Sequence, residues 1–308
     1  MGESVRSRIR RVIETDNGTA LVLVAVLCWV GNFVVARAAA GIVPPVTLAF
    51  VRWVVAGGLV SAFYWRQILV DWPLMRRHWG WLLVLGVSGI GIYNSFVYIG
   101  LQTTIVLNLL ILNASLTLMV ALISYLFFRE RLRARQSFGI LLSMAGVLWI
   151  VLGGDITSLL HLSFNDGDLW IISGVFSYAI YTVFLRKRPA IHPMSFIAVT
   201  FLIGAIFNLP FFVLEVNAGQ NLDWSNPAAL ATIAYVVLFP SIVSYICFNR
   251  GVAILGATRA STIMLTSPII GAVLAMLVLG ERLTMAHLVG GVLVFSGILV
   301  SRKKSAGA

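Results

Sequence analysis

Apolar residues run along this chain in ten long stretches, separated by short polar intervals. A helix needs about 20 apolar residues to cross a hydrocarbon core of roughly 30 Å. The stretches at about 19–40, 46–65, 79–100, 104–128, 136–153, 168–185, 194–215, 228–248, 258–279 and 284–301 fit that length. The pattern predicts an all-α polytopic membrane protein with ten transmembrane helices and the lipid bilayer as its surroundings. Arginines ahead of the first stretch and Ala38-Ala39-Ala40-Gly41 behind it imitate a signal peptide. The run is long for such a segment, and the repeat described next needs it, so it is read as an uncleaved first span.

Laid over itself at an offset of 151, the chain matches Gly100 with Gly251, Ala121 with Ala272, and Glu130-Arg131-Leu132 with Glu281-Arg282-Leu283. Gly139 then falls on Gly290, Leu142 on Leu293, Gly146 on Gly297 and Leu148 on Leu299. Nearer the start the offset is 149, placing Arg37 on Arg186 and Pro44 on Pro193. The expected organisation is an N-terminal segment 1–18, a first repeat 19–153, a second repeat 168–301 and a tail 302–308. Five spans per repeat is an odd number, so the second copy is inverted. Inverted repeats are a common construction in secondary transporters, where exchanging the conformations of two halves gives alternating access. One mismatch stands out: Pro268 overlies Thr117. Proline removes a backbone donor and bends a helix, so Thr117 and Pro268 mark a place for gating or bending, with the fourth span expected to be straighter than the ninth.

Composition narrows the class. Hydrophobic residues make up 60% and charged residues 11%, against about a quarter charged in soluble domains, which excludes a soluble globular protein. Scarce charge likewise excludes disorder. The net charge of +11 points first to a nucleic-acid partner, until its residues are located. With the N-terminus inside, nineteen of the 22 Lys and Arg fall in inner segments, Arg37 and Arg282 fall outside, and Arg52 lies within a span. That is the positive-inside pattern with both termini cytoplasmic. The charges are scattered over helix ends rather than set along one groove, so no nucleic-acid partner is expected. Cys28 and Cys247 lie in apolar runs and form neither a disulfide framework nor a metal site. No zinc-protease, Walker-type or catalytic-triad signature occurs, so neither catalysis, cofactor nor metal is expected.

Polar side chains inside spans face protein or water. The third span carries Asn94 and Tyr98 on one face, and the eighth carries Ser241, Tyr245 and Asn249. Trp29 and Asn32 share a face of the first span, Tyr178 and Tyr181 one of the sixth. Amides and aromatic rings together suit an amphipathic small-molecule substrate. Hydrogen bonding between helices is the competing role, and Asn113, Thr117, Ser261, Thr262 and Thr266 are further candidates. Arg52 is either a charge partner for a substrate carboxylate or Glu215, or a cation snorkelling to the outer headgroups. No Asp or Glu lies mid-span, and His78, His161, His192 and His287 fall at helix ends or in loops. Transport is therefore expected to be uncoupled or weakly coupled, with Glu130, Glu215 and Glu281 as the remaining proton sites.

The residues Asn249-Arg250-Gly251 through Gly256-Ala257-Thr258-Arg259-Ala260-Ser261, then Pro268 and Gly280-Glu281-Arg282-Leu283, resemble the EamA module of the drug/metabolite transporter superfamily. In the first half, Trp29-Val30-Gly31-Asn32-Phe33, Arg52 and Phe128-Arg129-Glu130-Arg131-Leu132 are similar to the same module. The resemblance implies a ten-helix exporter of small metabolites in the bacterial inner membrane. The Tyr- and Trp-bearing helices are most similar to the YddG-like amino-acid exporter branch, which implies amino acids, aromatic or broad-range, as substrates. A multidrug exporter remains as the alternative. A nucleotide-sugar or organic-phosphate carrier wants several cavity-facing Arg or Lys and finds only Arg52. An intramembrane enzyme lacks a catalytic set, and a sensory protein lacks an appended domain.

Overall fold

The computed structural model describes residues 5–39, 41–100, 103, 109, 112–161, 165–279 and 284–301. Residues 104–108 of the fourth predicted span, Glu281, Arg282, the tail from 302 and the side chain of Arg37 lie outside the described residues. Among the described residues there are helices and no strands. We label them α1 (Val5–Ala38), α2 (Pro45–Arg77), α3 (Trp79–Gly100), α4 (Leu112–Phe128), α5 (Ala134–Val151), α6 (Asp166–Lys187), α7 (Pro193–Asn217), α8 (Pro227–Leu255), α9 (Ala257–Met264 continued by Ser267–Leu279) and α10 (Met285–Ser301). Seven are long and apolar enough to cross a membrane on described residues alone; Asn17–Phe33 of α1, Leu112–Phe128 and Met285–Ser301 are shorter apolar helices. Together they are the ten helices of a polytopic membrane protein.

Helix α2 differs from the sequence expectation. It was expected to end near residue 65 but runs to Arg77, bent at Tyr64 (φ −113°, ψ 21°). Hydropathy marks where the apolar side chains stop, whereas the backbone needs only its own hydrogen bonds to continue. The extension carries Trp65 and Trp72, both exposed, and it is tied down where Asp71 accepts the backbone N–H of His192 at 3.0 Å.

The halves interlock through equivalent helices. Helix α5 packs on α10 and α2 on α7; α1 packs on α8, and α3 on α6 is the image of that pair when the halves are exchanged. The α5–α10 seam is the tightest. A Cβ on Gly146 would lie 2.6 Å from the Gly290 carbonyl, and one on Gly139 would lie 2.5 Å from that of Gly297. Only glycine lets backbones approach this closely. As residue number rises along α5 it falls along α10, so the two repeat-related helices are antiparallel. This is the geometry an inverted repeat requires.

Both halves break their helices at the same places. Helix α3 contains a π-helical turn at Val87–Ile92 and α8 another at Leu238–Val243, 151 residues apart at each end. In α8 the cause is visible. Pro240 has no N–H for the Val236 carbonyl, and the Ser241 hydroxyl takes that carbonyl instead at 2.6 Å. In α3, Gly89 stands at the matching position.

The expectation that the fourth span is straighter than the ninth is not met. Helix α4 breaks at Ser115 and α9 at Leu265–Thr266, and Thr266 is the repeat mate of Ser115. Each break is a tight turn with the same two bonds. The Ser115 N–H and hydroxyl donate to the Leu112 carbonyl at 3.1 and 2.5 Å, and those of Thr266 donate to Ile263 at 3.0 and 2.8 Å. A hydroxyl closing onto the carbonyl three residues back does the work assigned to proline. Thr117 itself bonds across to the Ser261 carbonyl at 3.0 Å.

Candidate functional site

The breaks surround a cavity. It lies between α1, α3, α4, α6, α8 and α9, with Val147 of α5 also on its lining. Of the residues singled out from sequence, Trp29, Asn32, Asn94, Tyr98, Thr117, Tyr178, Tyr245 and Pro268 line it, as do Asn113 and Ser261. Tyr93, which the sequence reading passed over, lines it too and donates to Asn113 Oδ1 at 3.2 Å. Its signal was available: it is the first residue past the glycine-rich turn of α3.

Aromatic rings form one side of this space. Trp29 stands edge-on to Tyr178 and Tyr245, with centroids 5.9 and 5.8 Å apart, and Tyr93 lies 4.8 Å from Tyr178. The polar side comprises Asn32, Asn94 and Tyr98, with Asn32 donating to Tyr98 Oη at 3.3 Å. Two buried polar atoms on this lining, Asn32 Oδ1 and Tyr178 Oη, have no hydrogen-bond partner. Such atoms are costly unless water or a ligand satisfies them.

Tyr181, Ser241, Asn249 and Arg52 do not line this cavity. Tyr181 is one turn along α6 from Tyr178, fully buried, and donates to Asn249 Oδ1 at 2.6 Å. This bond bridges α6 and α8 as a layer between them, and Phe248 beside it packs 5.8 Å from Tyr178. Beyond it, toward the end carrying Arg186 and Arg188, lies a second cavity lined by Thr182, Leu185, Asn249 and Ala257. That end is tied across the halves by Arg186, whose two terminal nitrogens meet Glu130 Oε1 and Oε2 at 2.7 and 2.9 Å. The same guanidinium lies 4.2 Å over the Phe128 ring.

Arg52 is not at the headgroups. It is 1% exposed, and its partners come from two other helices. Its Nε donates to Ser241 Oγ at 2.6 Å, Nη1 to Asn94 Oδ1 and Tyr98 Oη at 3.3 Å each, and Nη2 to the Pro240 carbonyl at 2.9 Å. Its plane lies 4.2 Å over Trp53, which the sequence reading left unassigned. Snorkelling fails because π-turn acceptors lie within reach inside the protein. Glu215 is not its partner either. That carboxylate caps the start of α2, taking Val46 N at 2.9 Å, Thr47 N at 2.5 Å and Thr47 Oγ1 at 2.7 Å.

The two π turns feed the site through equivalent atoms. The Gly89 carbonyl of α3 accepts from Tyr245 Oη at 2.7 Å, and the Pro240 carbonyl of α8 accepts from Arg52 and from Trp29 Nε1 at 3.0 Å. A π turn frees carbonyls from the helical ladder, and here side chains of the opposite half take them.

Comparison with known proteins agrees with this architecture. The EamA-like transporter family matches residues 16–152 and again 165–302. A "probable amino-acid metabolite efflux pump" of Escherichia coli strain K12 is 26% identical over 91% of this chain and 93% of its own length. An uncharacterized transporter of Archaeoglobus fulgidus is 26% identical over 92% of this chain and 96% of its own. A crystal structure 18% identical in sequence superposes with a TM-score of 0.75, covering 92% of this chain and 96% of that one, and so shares the fold. Two family matches on two interlocked halves leave one conclusion: the chain belongs to the EamA-like transporter family, and it is a membrane transporter of small metabolites.

Proposed function

We propose that this transporter exports amino acids, aromatic or broad-range, and related small metabolites across a bacterial inner membrane, with both termini cytoplasmic. The observation that carries this reading is the two-sided lining of the central cavity. Rings of Trp29, Tyr93 and Tyr178 suit an apolar side chain, while Asn32, Asn94 and Tyr98 suit the polar end of a small solute. The halves 19–153 and 168–301 work as the two exchanging units of an alternating-access cycle. On this reading the Tyr181–Asn249 bond and the Arg186–Glu130 pair lie on the cytoplasmic side of the cavity and would have to part for that side to open.

Purified protein in liposomes loaded with phenylalanine, tryptophan, methionine or alanine tests this. Labelled phenylalanine is expected to accumulate by counterflow in loaded vesicles and not in empty ones. Absence of counterflow with all four amino acids, alongside accumulation of a cationic dye, would favour the multidrug reading that an aromatic lining also supports.

A further inference from the structure

Arg52 is a buried cation held entirely by neutral groups: two hydroxyls, one amide and one backbone carbonyl. Among the described residues no carboxylate is within ion-pairing distance of it. A buried charge without a counter-ion is strongly unfavourable unless something of opposite sign approaches. Asn94 and Tyr98 stand between the guanidinium and the cavity, and both line that cavity.

The direction of these hydrogen bonds fixes what the wall offers. Arginine only donates, so the Asn94 carbonyl and the Tyr98 oxygen are both used as acceptors. Asn94 turns its amide NH2 toward the Tyr245 oxygen. Tyr98 accepts from Arg52 and from Asn32, so both its lone pairs are used and its own O–H is left to point elsewhere. Turning the Asn32 amide over changes only the bearer of that donor. Tyr98 would then donate to Asn32, whose NH2 would be left free. A donor backed by a fixed positive charge is presented in either case.

We infer that this wall is a carboxylate subsite, with Arg52 as the positioning residue that orients Asn94 and Tyr98 and supplies the field. The solute class is then one bearing a carboxylate, with or without an amino group; an amine lacking the carboxylate is repelled. This rests on the amino-acid reading and narrows it. Loss of one hydrogen bond to a charged group corresponds to about 10- to 100-fold in affinity.

Competition against labelled phenylalanine counterflow tests it, with 3-phenylpropionate, which lacks the amino group, and phenethylamine, which lacks the carboxylate. In the unmodified protein phenylpropionate is expected to compete at least about 10-fold better than phenethylamine. Arg52→Gln is expected to weaken phenylpropionate and phenylalanine about 10- to 100-fold while sparing phenethylamine, and Arg52→Lys to keep the preference. Tyr98→Phe leaves the cation in place and removes the hydroxyl donor, and Asn32→Leu removes the amide that bears the donor in the other orientation; the two together should shrink the same preference, and they decide the matter if Arg52→Gln does not fold. Phenethylamine competing as well as phenylpropionate would overturn the subsite and leave the exporter reading standing. A preference unchanged in Tyr98→Phe with Asn32→Leu and in folded Arg52→Gln would do the same. Absence of phenylalanine counterflow overturns both.

Discussion

The hydroxyl of Ser143 donates to the carbonyl of Val294 at 3.1 Å, and the two residues are 151 positions apart. They are each other's repeat mates, so the pseudo-two-fold axis passes between them, at the middle of the α5–α10 seam. Gly139 against Gly297 on one side becomes Gly290 against Gly146 on the other. The two repeats thus meet where a residue touches its own repeat mate.

That seam tolerates no added side chain. Gly146→Leu is expected to lower the detergent melting temperature sharply, because overpacking a tight interface costs about 1–3 kcal/mol or more. Gly80→Ala, where a Cβ meets nothing within 4 Å, should leave the melt unchanged. Equal melting of the two variants would contradict the axis placement.

The π turn of α8 should trade stability against activity. Pro240→Ala restores the missing N–H and removes a residue that costs about 3 kcal/mol in a helix interior. Thermal stability should therefore rise. The Val236 carbonyl returns to the helical ladder, Ser241 loses that bond, and the Pro240-site carbonyl withdraws from Arg52 and Trp29. Counterflow should fall; a variant that is more stable and equally active would show that the turn has no part in transport.

Between the two cavities the Tyr181 hydroxyl bonds across to Asn249. Tyr181→Phe removes its bond to Asn249, and such bonds contribute about 0.6 kcal/mol on average in membranes, roughly threefold in an equilibrium. In a protein lacking Cys28 and Cys247, a cysteine placed at Thr182 in the second cavity should react with a maleimide about threefold faster once Tyr181 is Phe. An unchanged rate would mean that ring packing alone holds the layer.

At the basic end, Glu130→Arg should slow counterflow and Arg186→Glu should do likewise, while the two together restore it. The pair is 47% and 32% exposed, so its contribution is about 1 kcal/mol or less and should weaken with salt. Failure of the double reversal to recover activity would assign Glu130 a role other than this contact.

Much of this was legible in the chain, and the failures have specific causes. The repeat showed itself because close glycines cannot drift: Gly139, Gly146, Gly290 and Gly297 are spaced by backbone contact. Part of the cavity lining was legible as well, since polar side chains in apolar runs have few other places to go, although Tyr93 was passed over and Tyr181, Ser241 and Asn249 lie off it. The π turns were half-legible, as Gly89 and Pro240 at matched positions announce a weak ladder without saying which turn results. The bend at Ser115 was not, because serine carries no bending signal until its hydroxyl finds the carbonyl three residues back. Arg52 stayed open between two readings for a related reason. Its distance along α2 was calculable, whereas its acceptors belong to α3 and α8, which only folding brings to it.

The paired carbonyls of Gly89 and Pro240 carry a last consequence. They are one atom written twice, yet Tyr245 holds the first and Trp29 with Arg52 the second. Exchanging the halves would hand the first to Tyr178, the mate of Trp29, and to Phe201, the mate of Arg52, which has nothing to donate. The other would pass to Asn94, the mate of Tyr245, whose side chain is shorter by a whole ring. Symmetry of scaffold therefore cannot bring symmetry of energy. If the halves exchange as proposed, the empty carrier has two wells of unequal depth and faces one side by preference.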